Sequence, residues 1–349
     1  MSAATPRGVP ASVPPPIIDV HTADVTFNGD LGVHDLTLSV PPATIFGLIG
    51  PSGSGKTTTV RLLTGIYRPM RGEVRVLGRV PHAFSPRTRE QIGYMPQFFT
   101  LYPNLTVLEN LNFVASLYGL GYFRRRRRLE ELLELVELSD ARTRLGRQLS
   151  GGMQRRLSLA CALVHNPSLI FADEPTAGID PVLRGKLWEH FRALRDQGRT
   201  LFVTTQYVGE AAFCDYVAVM REGRVIQLDT PEGLRKRALG GEIIRLAVDP
   251  AHELAAAQLL IQQPFINDVH RHRGHDGLLF LYVDEASEAL PRIFAVLRGR
   301  PEIVVRTAEE YLPPFDDVFV ALMEQDEAAE RATTRPLPAL EEREASHGR

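Results

Sequence analysis

Three short stretches of this sequence carry residue types at spacings suited to chemistry on anions. The first, GPSGSGKTT (Gly50–Thr58), follows the apolar run TIFGLIG and precedes the amphipathic run TTTVRLLTGIY, which predicts a strand, a glycine loop and a helix. Gly50, Gly53 and Gly55 let the backbone close around an anion, so that successive N–H groups and the helix N-terminus point at phosphate oxygens. At the spacing G-x-x-x-x-G-K-T, Lys56 is placed to reach the β- and γ-phosphates of a nucleotide, and the Thr57 hydroxyl to ligate Mg²⁺. The second stretch, LIFADE (Leu169–Glu174), is an apolar strand ending in two carboxylates. Ligands gather at the carboxyl ends of strands in an open parallel sheet. Alternation along the strand turns Asp173 toward the Mg²⁺ shell and Glu174 toward an attacking water. The third, LSGGMQRR (Leu149–Arg156), opens a helical run, with Ser150 as a natural N-cap and Gly151 and Gly152 leaving the first N–H groups uncovered. One protomer has little use for this second anion-binding terminus, unless it serves a nucleotide held by another subunit.

These stretches need a scaffold, and the chain supplies one. From Ile17 to about Gly240, apolar runs of four to six residues alternate with amphipathic helical stretches and glycine-rich turns, the pattern of a mainly parallel sheet covered by helices. After Gly240–Gly241 the units are shorter. EIIRLAV predicts a strand, AHELAAAQLLIQ a helix, the segments around the turn at Gly274 to Gly277 two strands, ALPRIFAVL a helix and EIVVRTA a strand, an order compatible with a small split βαβ sandwich. The expected organisation is a tail over residues 1–16, an α/β domain over 17–240, an accessory α+β domain over 241–324 and a charged tail over 325–349. Both tails have compositions expected to be disordered. Lys plus Arg total 40 against 42 Asp plus Glu, so the chain is not a globally basic nucleic-acid binder and any anion site must be local. Cys161 and Cys214 lie in apolar or aromatic surroundings, as free buried thiols of a reducing compartment do. No run reaches the roughly 18 apolar residues of a spanning helix.

Taken together, the motifs resemble those of an ATP-binding cassette (ABC) ATPase, a P-loop NTPase, over about Val20 to Arg237. GPSGSGKTT is similar to the family's Walker A motif, with Gly50, Pro51, Ser52, Gly53, Ser54, Gly55, Lys56, Thr57 and Thr58 as ATP-binding residues. LSGGMQ is similar to its signature, which implies that Leu149, Ser150, Gly151, Gly152 and Gln154 contact ATP held by a partner. LIFADEP resembles its Walker B motif and AGID its D-loop, with Asp180. Gln97, in GYMPQ, falls where the family's Q-loop glutamine contacts Mg²⁺ and couples to the membrane partner. Phe27, 23 residues before Gly50, takes the place of the aromatic that stacks on adenine, the alternative being an ordinary strand phenylalanine buried in the core. The resemblance implies a helical subdomain over about 98–150 and a head-to-tail dimer, of identical or different ATPase chains, sandwiching two Mg-ATP. It also implies in-line attack of water on the γ-phosphate, with Glu174 as general base and Lys56, Gln97, Thr57 and Asp173 around the phosphates and Mg²⁺. The expected place of work is the cytoplasmic face of the cell membrane, peripherally bound to a separate polytopic membrane subunit, with no nucleic acid.

The sequence departs from the family where a histidine usually follows the strand after Walker B: this chain reads LFVTTQYVGEAAFCD, with Gln206 at that position. A carboxamide donates a hydrogen bond but takes up no proton, which predicts reduced, nonzero hydrolysis. The segment EYLPPFDDVFVALM (Glu310–Met323) resembles the closing segment of ABC-2 drug- and polysaccharide-exporter ATPases, with Phe315 and Asp316 in place of the commoner Leu-Glu pair. That favours an exporter whose membrane subunit is a separate chain. Two alternatives are a soluble ABC-type ATPase acting on ribosomes or DNA, and a weakly hydrolytic regulatory subunit. The aromatic residues in FFTLYPNLTVLENLNFVASLYGL, near Gln97, suit either a docking cup for the membrane subunit or ordinary helix packing. Arg124 to Arg128 surround one helix and are expected to pair in part with Glu130, Glu131 and Glu134. His270, His272 and His275 read as an exposed hairpin rather than a metal site.

Overall fold

The computed structural model describes residues 14–27, 30–98, 100–271 and 276–333, with 27, 30 and 31 as backbone. The expectations placed on residues 1–13, Phe99, His272, His275 and 334–349, and on the Phe27 side chain, lie outside the described residues. The chain divides into two compact units, Met1–Leu234 and Arg235–Arg349.

In the first unit β1 (Ile18–Phe27) and β2 (Asp30–Val40) pair antiparallel, β3 (Ile45–Ile49) feeds the glycine-rich loop and α1 (Lys56–Leu63), and β4 (Arg71–Val76) returns to β1. The chain continues through α2 (Pro86–Arg89) and β5 (Ile92–Met95) into three helices, α3 (Val107–Leu117), α4 (Tyr122–Leu135) and α5 (Gly151–Leu163). It then enters β6 (Leu169–Asp173), α6 (Pro181–Asp196), β7 (Thr200–Thr205), β8 (Tyr216–Arg221) and β9 (Arg224–Asp229). Six strands form one sheet in the order β5-β6-β7-β3-β8-β9, parallel except for β9. Strands β3, β6 and β7 are buried along their whole length, which is why they read as uninterrupted apolar runs rather than alternating ones. The inner face of the antiparallel sheet (Ile18, Val20, Leu36, Val74) and that of the parallel sheet (Phe46, Leu48, Phe171, Phe202) share one core with Val60, Leu62 and Leu63 of α1. The core therefore clamps the helix whose N-terminus faces the glycine loop.

The helical subdomain is anchored by local signals. Thr106 and Glu109 form a capping box at the start of α3. Buried Asn110 accepts the Tyr102 amide and donates to the Tyr102, Leu105 and Thr106 carbonyls, fixing the loop that leads from Gln97 into α3. On α4 the arginines pair as Arg126–Glu130, Arg127–Glu131 and Arg128–Glu131, while Arg125 donates to the Leu120 carbonyl. Among the described residues no ion pair engages Glu134.

Helix α7 (Pro231–Leu239) crosses the division between the units. The second unit runs β10 (Glu242–Val248), α8 (Glu253–Leu260), β11 (Asp268–Arg271), β12 (Leu278–Val283), α9 (Ala286–Arg298), β13 (Val305–Tyr311) and α10 (Phe315–Thr333). Its four strands form an antiparallel sheet in the order β11-β12-β10-β13, the ferredoxin-like split βαβ arrangement, with α8 and α9 packed on one face. Helix α10 differs from the disordered tail expected from about Gln325, because it continues to Thr333. Phe315, Val318 and Leu322 are buried at helical spacing and Gln325 Nε2 donates to the Ala238 carbonyl, so the charged residues beyond Gln325 continue an anchored helix. Among the described residues no helix is long and apolar enough to cross a membrane.

Candidate functional site

The glycine loop between β3 and α1 has a shape that side chains would spoil. A Cβ on Gly50 would lie 2.2 Å from the Met220 carbonyl oxygen, and Gly55 caps α1 at φ 103°, in the left-handed region. Lys56 turns back across the loop, its Nζ donating to the Gly50 and Pro51 carbonyls at 2.9 and 3.0 Å. The same Nζ stands 3.7 Å from Glu174 Oε1.

Strand β6 delivers the acidic pair beside this loop. Asp173 is fully buried; its Oδ1 accepts the hydroxyls of Thr204 at 2.5 Å and Thr57 at 3.3 Å, and its Oδ2 is buried without a partner. Burial pushes the Asp173 carboxyl above its usual range, against the hydrogen bonds from Thr204 and Thr57. Burial likewise pulls the Lys56 ammonium down, against the charges of Glu174 and Asp173. The backbone of Glu174 sits at φ 47°, a strained conformation for a residue with a side chain. Its amide is held by both the carbonyl and the hydroxyl of Thr204, at 3.1 and 3.0 Å. Gln97, just beyond β5, donates through Nε2 to Glu174 Oε2 at 2.8 Å.

Lys56, Thr57, Gln97, Asp173 and Glu174 thus meet in one place. The unpartnered, buried Asp173 oxygen beside the Thr57 hydroxyl offers the hard oxygen donors that Mg²⁺ takes. The residues present fit that ion.

Other singled-out residues lie apart from this cluster. Ser150 caps α5, its Oγ accepting the Met153 amide at 3.3 Å, and Gln154 Nε2 donates to the Gly146 carbonyl. Ser150 and Gly151 are exposed, and among the described residues no hydrogen bond or ion pair joins Ser150–Gln154 to the loop Gly50–Thr58. Asp180 caps α6 by accepting the Val182 and Leu183 amides, both at 3.0 Å. Gln206 follows β7 and is exposed.

Two residues of the site escaped the sequence reading. Thr204 binds both acidic residues, and its only sequence signal is the TT pair before Gln206. Arg155, in the first turns of α5, donates to the Pro96 carbonyl at 3.2 Å and feels the charges of Glu174 and Asp173, while burial lowers its pKa.

Comparison with known proteins gives a consistent picture. Residues 33–177 match the family model described as ABC transporter. The daunorubicin/doxorubicin resistance ATP-binding protein of Streptomyces peucetius is 37% identical over 297 residues, covering 85% of this chain and 89% of that protein. The Nod factor export ATP-binding protein I of Burkholderia pseudomallei (strain K96243) is 37% identical over 314 residues, covering 87% and 96%. Among solved structures, an ATP-binding subunit of an ABC transporter matches with a TM-score of 0.59 at 27% identity, covering 63% of this chain and 92% of that one. A dimeric ATP-binding cassette bound to ADP and Pi in a post-hydrolysis state matches with a TM-score of 0.56 at 26% identity, covering 61% and 98%.

Proposed function

This chain belongs to the family of ABC transporter ATP-binding proteins, and on that premise we propose that it is the ATPase subunit of a membrane exporter, pairing with a second ATPase chain around two Mg-ATP. The observation that carries the proposal is the Glu174 carboxylate held between Lys56 and Gln97. A base, a phosphate-binding ammonium and the residue at the head of the aromatic loop share one contact, so phosphate arrival and partner docking act on the same group.

In this reading the loop Gly50–Thr58 wraps the phosphates and α1 directs its N-terminus at them. Lys56 leaves Glu174 for the β- and γ-phosphate oxygens, and Glu174, freed, takes the proton of the attacking water. Thr57, Asp173 and Gln97 would hold Mg²⁺, which supplies neutralisation of the charge on the phosphate oxygens. The tip of α5, from Ser150 to Gln154, is assigned to the nucleotide of a partner chain, with the Ser150 hydroxyl and the Gly151 and Gly152 amides as its donors, and Asp180 stands at the start of α6 to face the same partner. Phe27 is assigned to the adenine.

The exporter direction is supported by the relatives' names, and a membrane subunit by the exposed aromatics next to Gln97: Phe98 is 74% exposed, Tyr102 50% and Phe113 37%. A peripheral position on the cytoplasmic face of the membrane follows from that partnership. The decisive experiment is purification of the tagged chain from solubilised membranes. Recovery with a polytopic membrane protein, and dimerisation of a Glu174→Gln variant on Mg-ATP addition, is the expected result; a chain that ignores Mg-ATP and enriches no membrane protein defeats the proposal.

A further inference from the structure

Glu210 is 2% exposed, yet it takes no part in the phosphate-facing cluster. It stands on the short turn Val208–Phe213 that follows Gln206, and its partners come from two other segments. Its Oε2 accepts the hydroxyl of Thr176 at 3.0 Å, and Thr176, fully buried, is two residues beyond Glu174. Its Oε1 faces Arg184 Nε at 3.5 Å, and the Arg184 guanidinium lies 4.1 Å from the centre of the Tyr207 ring, next to Gln206. Arg184 is one turn into α6, its amide donating to the Asp180 carbonyl at 2.9 Å. One buried carboxylate therefore joins the segment behind Glu174, the loop that carries Gln206 and the helix that Asp180 caps.

A buried carboxylate beside a half-buried guanidinium is a poor way to stabilise a fold, because its desolvation offsets much of the attraction. It is a good way to fix a geometry, and a geometry here needs fixing. Glu174 is held at φ 47°, a conformation that persists only where its surroundings over-determine it. On its N-terminal side the restraint is Thr204, which binds its amide. On its C-terminal side the restraint is Thr176, bound by Glu210. Both restraints originate on the stretch Thr204–Glu210, and Gln206 lies between them.

We propose that Glu210 is a positioning residue for ATP hydrolysis, holding Glu174 and Gln206 in register across the γ-phosphate site through Thr176, Arg184 and Tyr207. The inference rests on the ATPase reading and extends it to a residue that touches neither nucleotide nor metal.

The test uses the full chain and measures kcat and KM for Mg-ATP together with equilibrium binding of a non-hydrolysable ATP analogue. Glu210→Ala is expected to lower kcat about tenfold or more while KM and analogue affinity change less than about threefold. Thr176→Val deletes one hydroxyl with little change of shape, so it serves even if Glu210→Ala fails to fold. It is expected to lower kcat severalfold, and Thr176→Ser to restore it. In a Gln206→Ala background the further loss caused by Thr176→Val should shrink below about twofold, the signature of residues acting as a unit. Unchanged kcat in Thr176→Val, a loss that Thr176→Ser does not recover, or losses that multiply independently of Gln206→Ala overturn the inference while leaving the ATPase reading intact. A wild-type chain that neither binds Mg-ATP nor releases phosphate overturns both.

Discussion

Gln97 Nε2 donates to Glu174 Oε2 at 2.8 Å while Lys56 Nζ stands 3.7 Å from Oε1 of the same carboxylate, so one oxygen of Glu174 is hydrogen-bonded and the other faces the ammonium. In the proposed mechanism phosphate oxygens draw Lys56 away by offering it more charge than one carboxylate does. Glu174→Gln keeps the side chain's shape and an oxygen for a donor but removes the base. Nucleotide binding should persist while turnover falls by roughly 10²–10⁴-fold, the usual contribution of a positioned general base. Phosphate release measured beside analogue binding checks this, and near-normal release would remove Glu174 from the role of base.

Thr204 is the one hydroxyl shared by both acidic residues, donating to Asp173 and accepting the Glu174 amide. Thr204→Val preserves the β-branched shape that suits the central strand β7 and deletes only the hydroxyl. Asp173 then loses its shortest hydrogen bond and Glu174 one of the two anchors on its strained backbone. A buried acceptor stripped of its donor costs about 1–3 kcal/mol. The variant should therefore melt lower than wild type and lose at least about tenfold in turnover, both measurable on one preparation by thermal unfolding and phosphate release. Wild-type turnover in a destabilised protein would make Thr204 purely structural.

The glycine loop, the acidic strand end and the Ser150 helix tip were legible because each is a local device whose geometry is written in consecutive residues. Thr204, Arg155 and Glu210 were not, because their roles arise only when β7 lies beside β6 and α5 crosses the end of β5. No spacing in the sequence encodes that proximity. The C-terminal boundary failed for a different reason. Beyond Gln325 the composition is charged, yet the preceding buried turns at Phe315, Val318 and Leu322 propagate the helix through it, since extension of a formed helix is far easier than its nucleation.

Gln206 is exposed at the end of β7, with Tyr207 held behind it by its own amide donating to Thr205 Oγ1 at 3.0 Å. A histidine placed there adds a group that carries positive charge toward the γ-phosphate, a contact whose removal elsewhere costs a few kcal/mol. Gln206→His should raise kcat about three- to tenfold with KM little changed. Steady-state phosphate release across pH 6 to 9 decides it: an unchanged rate at every pH means that Gln206 does not limit hydrolysis.

Cys161 and Cys214 are 6% and 7% exposed. Burial pushes the Cys161 thiol up to about 12, and Cys214 is raised as well by burial and by the Glu210 and Asp215 charges. Because the folded values exceed the unfolded thiol value of about 8.5, the folded chain keeps these protons longer. Their contribution to stability is complete below that value and is lost as pH climbs toward the folded ones. At pH 8 a disulfide reagent should label neither thiol in the native protein and both in denaturant, measured as released chromophore per chain. Rapid native labelling would mean that the parallel sheet and α5 open far more readily than their burial implies.

In the second unit one carboxylate closes the hairpin onto its helix. Glu253, 4% exposed at the start of α8, accepts Arg271 Nε at 2.6 Å and the Gly277 amide at 2.7 Å, gripping both ends of the β11–β12 connection. These hydrogen bonds favour the ionised form and hold its carboxyl below the usual range, the bond from Arg271 most of all. A depressed folded value means that the stabilisation is present above the unfolded value, about 4.3, and is lost as pH falls below it toward the folded one. Glu253→Gln keeps an oxygen for one donor but removes the charge and leaves the other donor facing an amide NH₂. The expected cost at pH 7 is about 1–3 kcal/mol in the urea unfolding of the Arg235–Arg349 unit, and the gap between variant and wild type should narrow by pH 4. A gap of equal size at both pH values would assign the loss to packing of α8 rather than to the ionised carboxylate.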